Sequence, residues 1–336
     1  MSTDTKPGAM GTDNNSVIDR IYRKLSNVPM WAMWGIVVIW TIPSLSLFVN
    51  SFRSRTRQRQ SGFWEAPIDT DRDYVLGCPD DYDAENIFHA LENYCVVLSN
   101  DQASGMLTSV ISSLAIAVPS TIIPIAIASF AAYAFAWIDF KGRKPLFIAT
   151  VALLSIPLQV ALIPLLRMYL GGAHFTVWGT ERTLTLVPDF DLAGGPWAVV
   201  LTHTGFAMPF AIFLLHNYMS SLPGELIESA RVDGADHFST FMRLVLPLSV
   251  PAIAAFAIFQ FLWTWNDYLI AVIMLNSGTP EVFPTTQRIA NLAGDFGRTE
   301  HLLTAGAFVQ AFVPLVVFFS LQRYFVRGLL AGSVKG

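Results

Sequence analysis

The chain has 336 residues, 53% of them hydrophobic and only 14% charged, with a formal net charge of −4 and a mean hydropathy of +0.48. Soluble domains carry about a quarter charged residues, so this composition excludes an ordinary soluble protein and points to the membrane. The 21 Lys and Arg are scattered rather than gathered on one basic face, which excludes nucleic acid as a partner.

Residues 1–13 read as a polar tail. Ile18, Ile21, Tyr22 and Leu25 then recur at helical spacing, with Arg20, Arg23 and Lys24 facing the other way. This pattern predicts an amphipathic helix in the membrane interface, within a cytoplasmic N-terminal segment 1–30. Six stretches follow that are free of Asp, Glu, Lys and Arg apart from a single Asp267, with apolar cores near 31–50, 108–136, 146–166, 197–217, 249–274 and 303–322. A bilayer core of about 30 Å needs about 20 apolar residues in a helix. Six spans are therefore expected in an all-α polytopic fold. The first apolar run is read as the first span and not as a signal peptide, because it is too long and no small-residue cleavage site follows.

With both termini inside, twelve Lys and Arg fall on inner segments and nine on outer ones. Lys141, Arg143 and Lys144 support this orientation, while Arg53, Arg55, Arg57 and Arg59, directly after the first span, oppose it. Residues 51–104 become an extracytoplasmic loop holding ten acidic residues and both cysteines. A Cys78–Cys95 disulfide suits that compartment, although two free thiols fit the sequence equally well. The segment 170–196, with Gly171, Gly172, Gly194 and Gly195, is expected to be a second external loop of β-turn character.

Enzymatic chemistry finds no support. The chain has no G-x-x-x-x-G-K-[ST] phosphate loop, H-E-x-x-H, C-x-x-C or G-x-S-x-G, so no catalytic or metal site is expected. His203 and His216 lie in the fourth span, where a neutral, hydrogen-bonded structural role is preferred to a functional one. Seven prolines in the spans (Pro119, Pro124, Pro157, Pro164, Pro209, Pro251, Pro314) predict kinked helices.

The loop 218–247 differs from the rest. Pro223 suits a helix start, Leu226, Ile227 and Ala230 give an apolar face, and Gly234 falls where the chain must turn. Asp236 is a fair N-cap for a second helix carrying Phe238, Phe241, Met242 and Val245 on one face, with Pro247 expected to stop it. The pattern alone fits either a connector resting on the membrane or a docking surface. Its residues are more specific. Glu228-Ser229-Ala230-Arg231-Val232-Asp233-Gly234-Ala235, with Leu246-Pro247 eleven residues on, resembles the E-A-A-x-x-D-G-A…L-P loop of ABC importer permeases. Ser229 departs from the usual Ala. The C-terminus ending in Val334-Lys335-Gly336 resembles the tail of the maltose-type permease, and residues 131–144, Ile156-Pro157-Leu158-Gln159 and Trp265-Asn266-Asp267 match further blocks. The resemblance covers roughly 86–336, less 170–196, and the long loop after the first span is more like the α-glucoside branch.

The resemblance implies a type I ABC importer permease in a bacterial or archaeal plasma membrane, with a permease core at 105–325 and a cytoplasmic tail at 326–336. It implies a second homologous permease, two ATPase subunits that bind the ATP and Mg, and an extracytoplasmic sugar-binding protein. This chain itself would hold no cofactor. The ATPase would be met by a coupling surface of Glu228, Ser229, Ala230, Asp233, Gly234, Ala235, Leu246 and Pro247, and by Ser333, Val334 and Lys335 of the tail. Trp263, Trp265 and Asn266 could line a sugar path, or form an interfacial aromatic belt. A secondary transporter driven by an ion gradient is the alternative. That class usually buries charge at mid-membrane, and here only Asp267, near an outer end, interrupts a span.

Overall fold

The computed structural model describes residues 29–53, 55–65, 92–99, 105–176, 183–189, 191–276, 278–294 and 300–333. The N-terminal amphipathic segment, Cys78, Val334 and Lys335 lie outside them. The chain is a helical bundle with one small hairpin. Its helices are α1 (Met30–Ser51), α2 (Arg55–Gln60), α3 (Glu92–Leu98), α4 (Leu107–Trp137), α5 (Arg143–Ala152), α6 (Leu158–Gly171), α7 (Pro196–Ser220), α8 (Gly224–Val232), α9 (His237–Thr240), α10 (Val250–Asn266), α11 (Leu269–Met274), α12 (Thr285–Gly294) and α13 (Glu300–Ser333). Between α6 and α7, β1 (Ala173–Thr176) pairs antiparallel with β2 (Thr183–Val187), in the segment expected to turn.

Four helices, α1, α4, α7 and the Glu300–Gln322 part of α13, are unbroken and long enough to cross a bilayer. The third expected span is a bent pair, and a second bent pair joins the 218–247 loop to the fifth. The third breaks between Arg143–Ser155 and Leu158–Gly171 by 100°. Pro157 is the cause: it holds Ile156 in an extended conformation (ψ 117°) and cannot donate to a continuing helix. The fifth, expected at 249–274, is entered through a 69° bend between His237–Leu248 and Val250–Asn266. Pro247 does not stop the helix as expected. Its missing N–H falls just after a wide π turn, Phe241–Val245, and the chain bends two residues later at Ser249.

The core is built where α4 crosses α7. Ala128 and Ala132 of α4 meet Ala207 and Ala211 of α7, all buried. Small side chains let the two backbones approach, which is how helices associate without a hydrophobic driving force from water. Thr121 and Ser129 of α4 return their hydroxyls to the carbonyls of Ala117 and Ile125, so these two buried groups are satisfied within their own helix. By contrast, α1 leaves Trp31, Trp34, Ile39 and Trp40 exposed along its length. In a membrane protein that face belongs to lipid.

At the end of α1, Arg53 is buried. Its guanidinium donates to Asn50 Oδ1 (3.0 Å) and to Ser61, while Asn93 Nδ2 of α3 donates to the carbonyls of Ser51 (2.9 Å) and Arg53 (3.0 Å). Arg59 stands 4.0 Å from Glu300 of α13. Of the arginines that opposed the expected orientation, Arg53 is therefore buried and Arg59 is paired at the surface.

Candidate functional site

The loop between α7 and α10 forms a compact helical pair at the end of the bundle where α4 and α7 finish. Pro223 sits one residue before α8, at its N-cap, with Glu225 in the first turn and Arg231 in the last, both favourable to the helix dipole. The helix ends in a Schellman motif. The Ala235 N–H donates to Ala230 C=O (2.9 Å) and the Gly234 N–H to Arg231 C=O (3.0 Å), with Gly234 at φ +83°. Nothing lies within 4 Å of a Cβ built on Gly234, so backbone conformation and not crowding requires glycine there. Asp236 then caps α9: its Oδ1 accepts from the Ser239 N–H at 2.8 Å. Hydrogen bonding from Ser239 holds the Asp236 carboxyl below the usual carboxylate range.

The pair is anchored to the core by three side chains. Ile227 of α8 and Phe241 and Val245 of the π turn are buried with Leu215 and Met219 of α7 and Tyr133 of α4. Tyr133 Oη lies 3.1 Å from His237 Nδ1, and the Trp137 indole N–H donates to Met219 C=O at 3.1 Å. The expected apolar faces are thereby split. Phe238, Met242 and Leu226 stay exposed, and Ile227, Phe241 and Val245 reach the core. Val232 is 88% exposed and Phe238 62%, beside exposed Glu228, Ser229, Asp233 and Gly234. Glu228 makes no hydrogen bond or ion pair with any described residue. Leu246 is half-buried and Pro247 exposed at the bend. The result is an acidic surface with exposed apolar side chains, rigidly joined to the bundle.

Trp263, Trp265 and Asn266 do not form one surface. Trp265 is buried, stacked on Phe261 and donating from Nε1 to Gln310 C=O of α13 at 3.0 Å, so it packs two spans together and offers no face to a sugar in this conformation. Asn266 is exposed and bonded to its own helix at Leu262 C=O. Trp263 is half-buried, edge-on to His203 with ring centroids 5.4 Å apart. Ser333 lies at the end of α13.

His203 was expected to be hydrogen-bonded between helices. It is fully buried, and neither ring nitrogen has a hydrogen-bond partner. Its Nε2 lies 3.7 Å from Asp267 Oδ2, and both residues line a cavity of about 10 Å³ together with Ser113, Thr264 and Pro284. An isolated histidine in an apolar span carried no sign of its partner, because Asp267 is 64 residues away at the break between α10 and α11.

Residues 125–331 match the family described as the binding-protein-dependent transport system inner membrane component. The chain belongs to this family. As a member it is a membrane-embedded ABC permease and not an enzyme. It is 48% identical over 307 residues to the osmoprotective compounds uptake permease protein GgtD of Synechocystis sp., covering 90% of both chains. It is 54% identical over 247 residues to the alpha-glucoside transport system permease protein AglG of Rhizobium meliloti, covering 73% of this chain and 60% of that protein. The fold matches the crystal structure of a bacterial ABC transporter involved in the import of the acidic polysaccharide alginate, with TM-score 0.63, 19% identity, and coverage of 93% of this chain and 99% of that one.

Proposed function

We propose that this permease forms half of the translocation path of an ATP-driven importer for a neutral sugar of the α-glucoside class. The observation that carries the coupling is the helical pair 224–248, whose acidic and apolar outer surface is fixed to the core through Ile227, Phe241 and Val245. A partner ATPase would seat Val232 and Phe238 in an apolar cleft and offer a basic group to Glu228. Closure of two such ATPases on ATP would move the pair, and with it α4 and α7, as a rigid lever. ATP hydrolysis belongs to those separate subunits. A second, homologous permease completes the path, and an extracytoplasmic binding protein delivers the sugar.

The substrate class rests on the AglG relationship, with the osmoprotective compounds of GgtD as the second reading. Both termini are taken as cytoplasmic. Cys95 is disulfide-bonded, and Cys78 is taken as its partner. The tail at Ser333, Val334 and Lys335 is taken as a further ATPase contact, which deletion of residues 331–336 tests: insertion should persist while transport falls.

The deciding experiment reconstitutes the whole importer in proteoliposomes and measures uptake of labelled maltose as an α-glucoside probe. ATP-dependent uptake that requires the binding protein supports the reading. Uptake driven by an ion gradient without ATP would overturn it.

A further inference from the structure

His203 of α7 and Asp267 after α10 form a largely buried ionisable pair, and the coupling surface uses neither. Ionisable groups at such depth are costly to bury and persist where they have a partner or a task. Asp267 is held firmly. Its Oδ2 accepts from the N–H groups of Ile270 (2.9 Å) and Ala271 (3.2 Å), which starts α11, and its carbonyl accepts from Thr286 Oγ1 of α12 (2.7 Å). The same start of α12 is tied to α4, where the Thr285 N–H donates to Ser113 Oγ at 2.9 Å. Asp267 thus marks a knot joining α10, α11, α12 and α4 at the end of the bundle opposite the coupling pair. His203 enters this knot from α7, the helix that leads directly into α8.

The knot is unfinished at one contact. A carboxylate only accepts and an imidazole N–H can donate, so the two side chains are chemically matched. Yet 3.7 Å is too long for a hydrogen bond, and both His203 nitrogens lack a partner. An approach of roughly 1 Å between α7 and the α10–α11 break would close it. Interfaces of packed helices switch between discrete arrangements, and shifts of this size are enough to do so.

We propose that His203 and Asp267 are a conformational latch between the fourth and fifth spans, open in the conformation described here and closed in the alternate state of the transport cycle. His203 acts as a positioning residue: it binds no sugar, and its bond to Asp267 lowers the free energy of the closed arrangement. Movement of α8 by the ATPase would reach the latch along α7. The proposal rests on the permease reading, and its test separates the two.

The test uses the complete importer in lipid nanodiscs, with spin labels on Trp197→Cys and Tyr268→Cys, both exposed positions flanking the latch. Pulsed-EPR distances are compared with and without ATP and vanadate, against His203→Leu and His203→Gln in the same background. The wild type should gain a second, shorter distance in the trapped state. His203→Leu should reduce that population relative to the open one by about five-fold or more, while His203→Gln, whose amide can donate to Asp267, should keep most of it. Uptake should fall in parallel only for the Leu variant. A wild type with one unchanging distance, or identical populations in wild type and His203→Leu, overturns the latch. So does equal loss in Leu and Gln variants, which would make His203 a packing residue. Binding-protein-stimulated ATP hydrolysis by the unlabelled wild type is scored separately, and its absence would count against the permease reading.

Discussion

Gly234 shows how much one backbone conformation can carry. The turn between α8 and α9 needs φ +83°, and space around the residue is open. Substitution therefore acts through left-handed strain alone, about 1–2 kcal/mol for a residue with a Cβ. Gly234→Val should leave the subunit inserted and paired but abolish uptake and release the ATPase from membranes, measured as sugar uptake alongside ATPase retention. Gly234→Asn, which tolerates that region better, should lose less. Full uptake in Gly234→Val would reduce the loop to a connector. Asp236 adds a pH dependence of known sign. Its carboxyl is depressed by the bonds from Ser239, so the cap is intact above the ordinary carboxylate range and is lost as pH falls through its folded value. ATPase retention by wild type should weaken on acidification, and Asp236→Asn, still a capping residue, should flatten that dependence.

Among the elements, the helical pair matters because its inner side is core. Ile227→Ala should cost about 2–4 kcal/mol and loosen the pair without touching the outer surface. Uptake should drop while the basal ATPase activity of the free ATPase subunits stays unchanged, and hydrogen exchange should rise in 224–248 ahead of α4 and α7. If exchange rises uniformly, the pair is not a separate lever. This element was largely legible in the sequence, since Gly234, Asp236 and the apolar spacing are local signals, and local chemistry decided the Schellman turn and the cap. The π turn was not legible. It arises because Pro247 removes one N–H from a helix that must still bury Phe241 and Val245, a compromise of tertiary packing. The 100° bend at Pro157 was half legible: the proline announces a break, but the angle is set by neighbours. Trp265 misled for a similar reason, since its bond to Gln310 spans 45 residues. The His203–Asp267 encounter is likewise a product of the assembled bundle.

At the scale of the whole molecule, the segment 92–99 is bound into the bundle. On α3, Asn93 holds the end of α1, Tyr94 Oη lies 2.8 Å from Ser51 Oγ, and Val97 packs with Met106, Leu302 and Ala305. Cys95 sits between these contacts and is disulfide-bonded. A bridge to Cys78 would close a loop of similar length to those for which chain-entropy estimates give about 3 kcal/mol. Reduction should then lower the unfolding midpoint while leaving α3 in place, because Asn93 and Val97 anchor it independently. Asn93→Ala should destabilise the junction of α1 and α3 even with the disulfide intact, since it removes the amide donor from the carbonyls of Ser51 and Arg53. Topology follows from the same pair of thiols. In intact cells, a membrane-impermeant maleimide added outside should label neither cysteine until an impermeant reductant is supplied, and then label both. Labelling only after the cells are opened would place the loop in the cytoplasm. That result would reverse the orientation of all the spans and put the 224–248 pair on the wrong side for an ATPase.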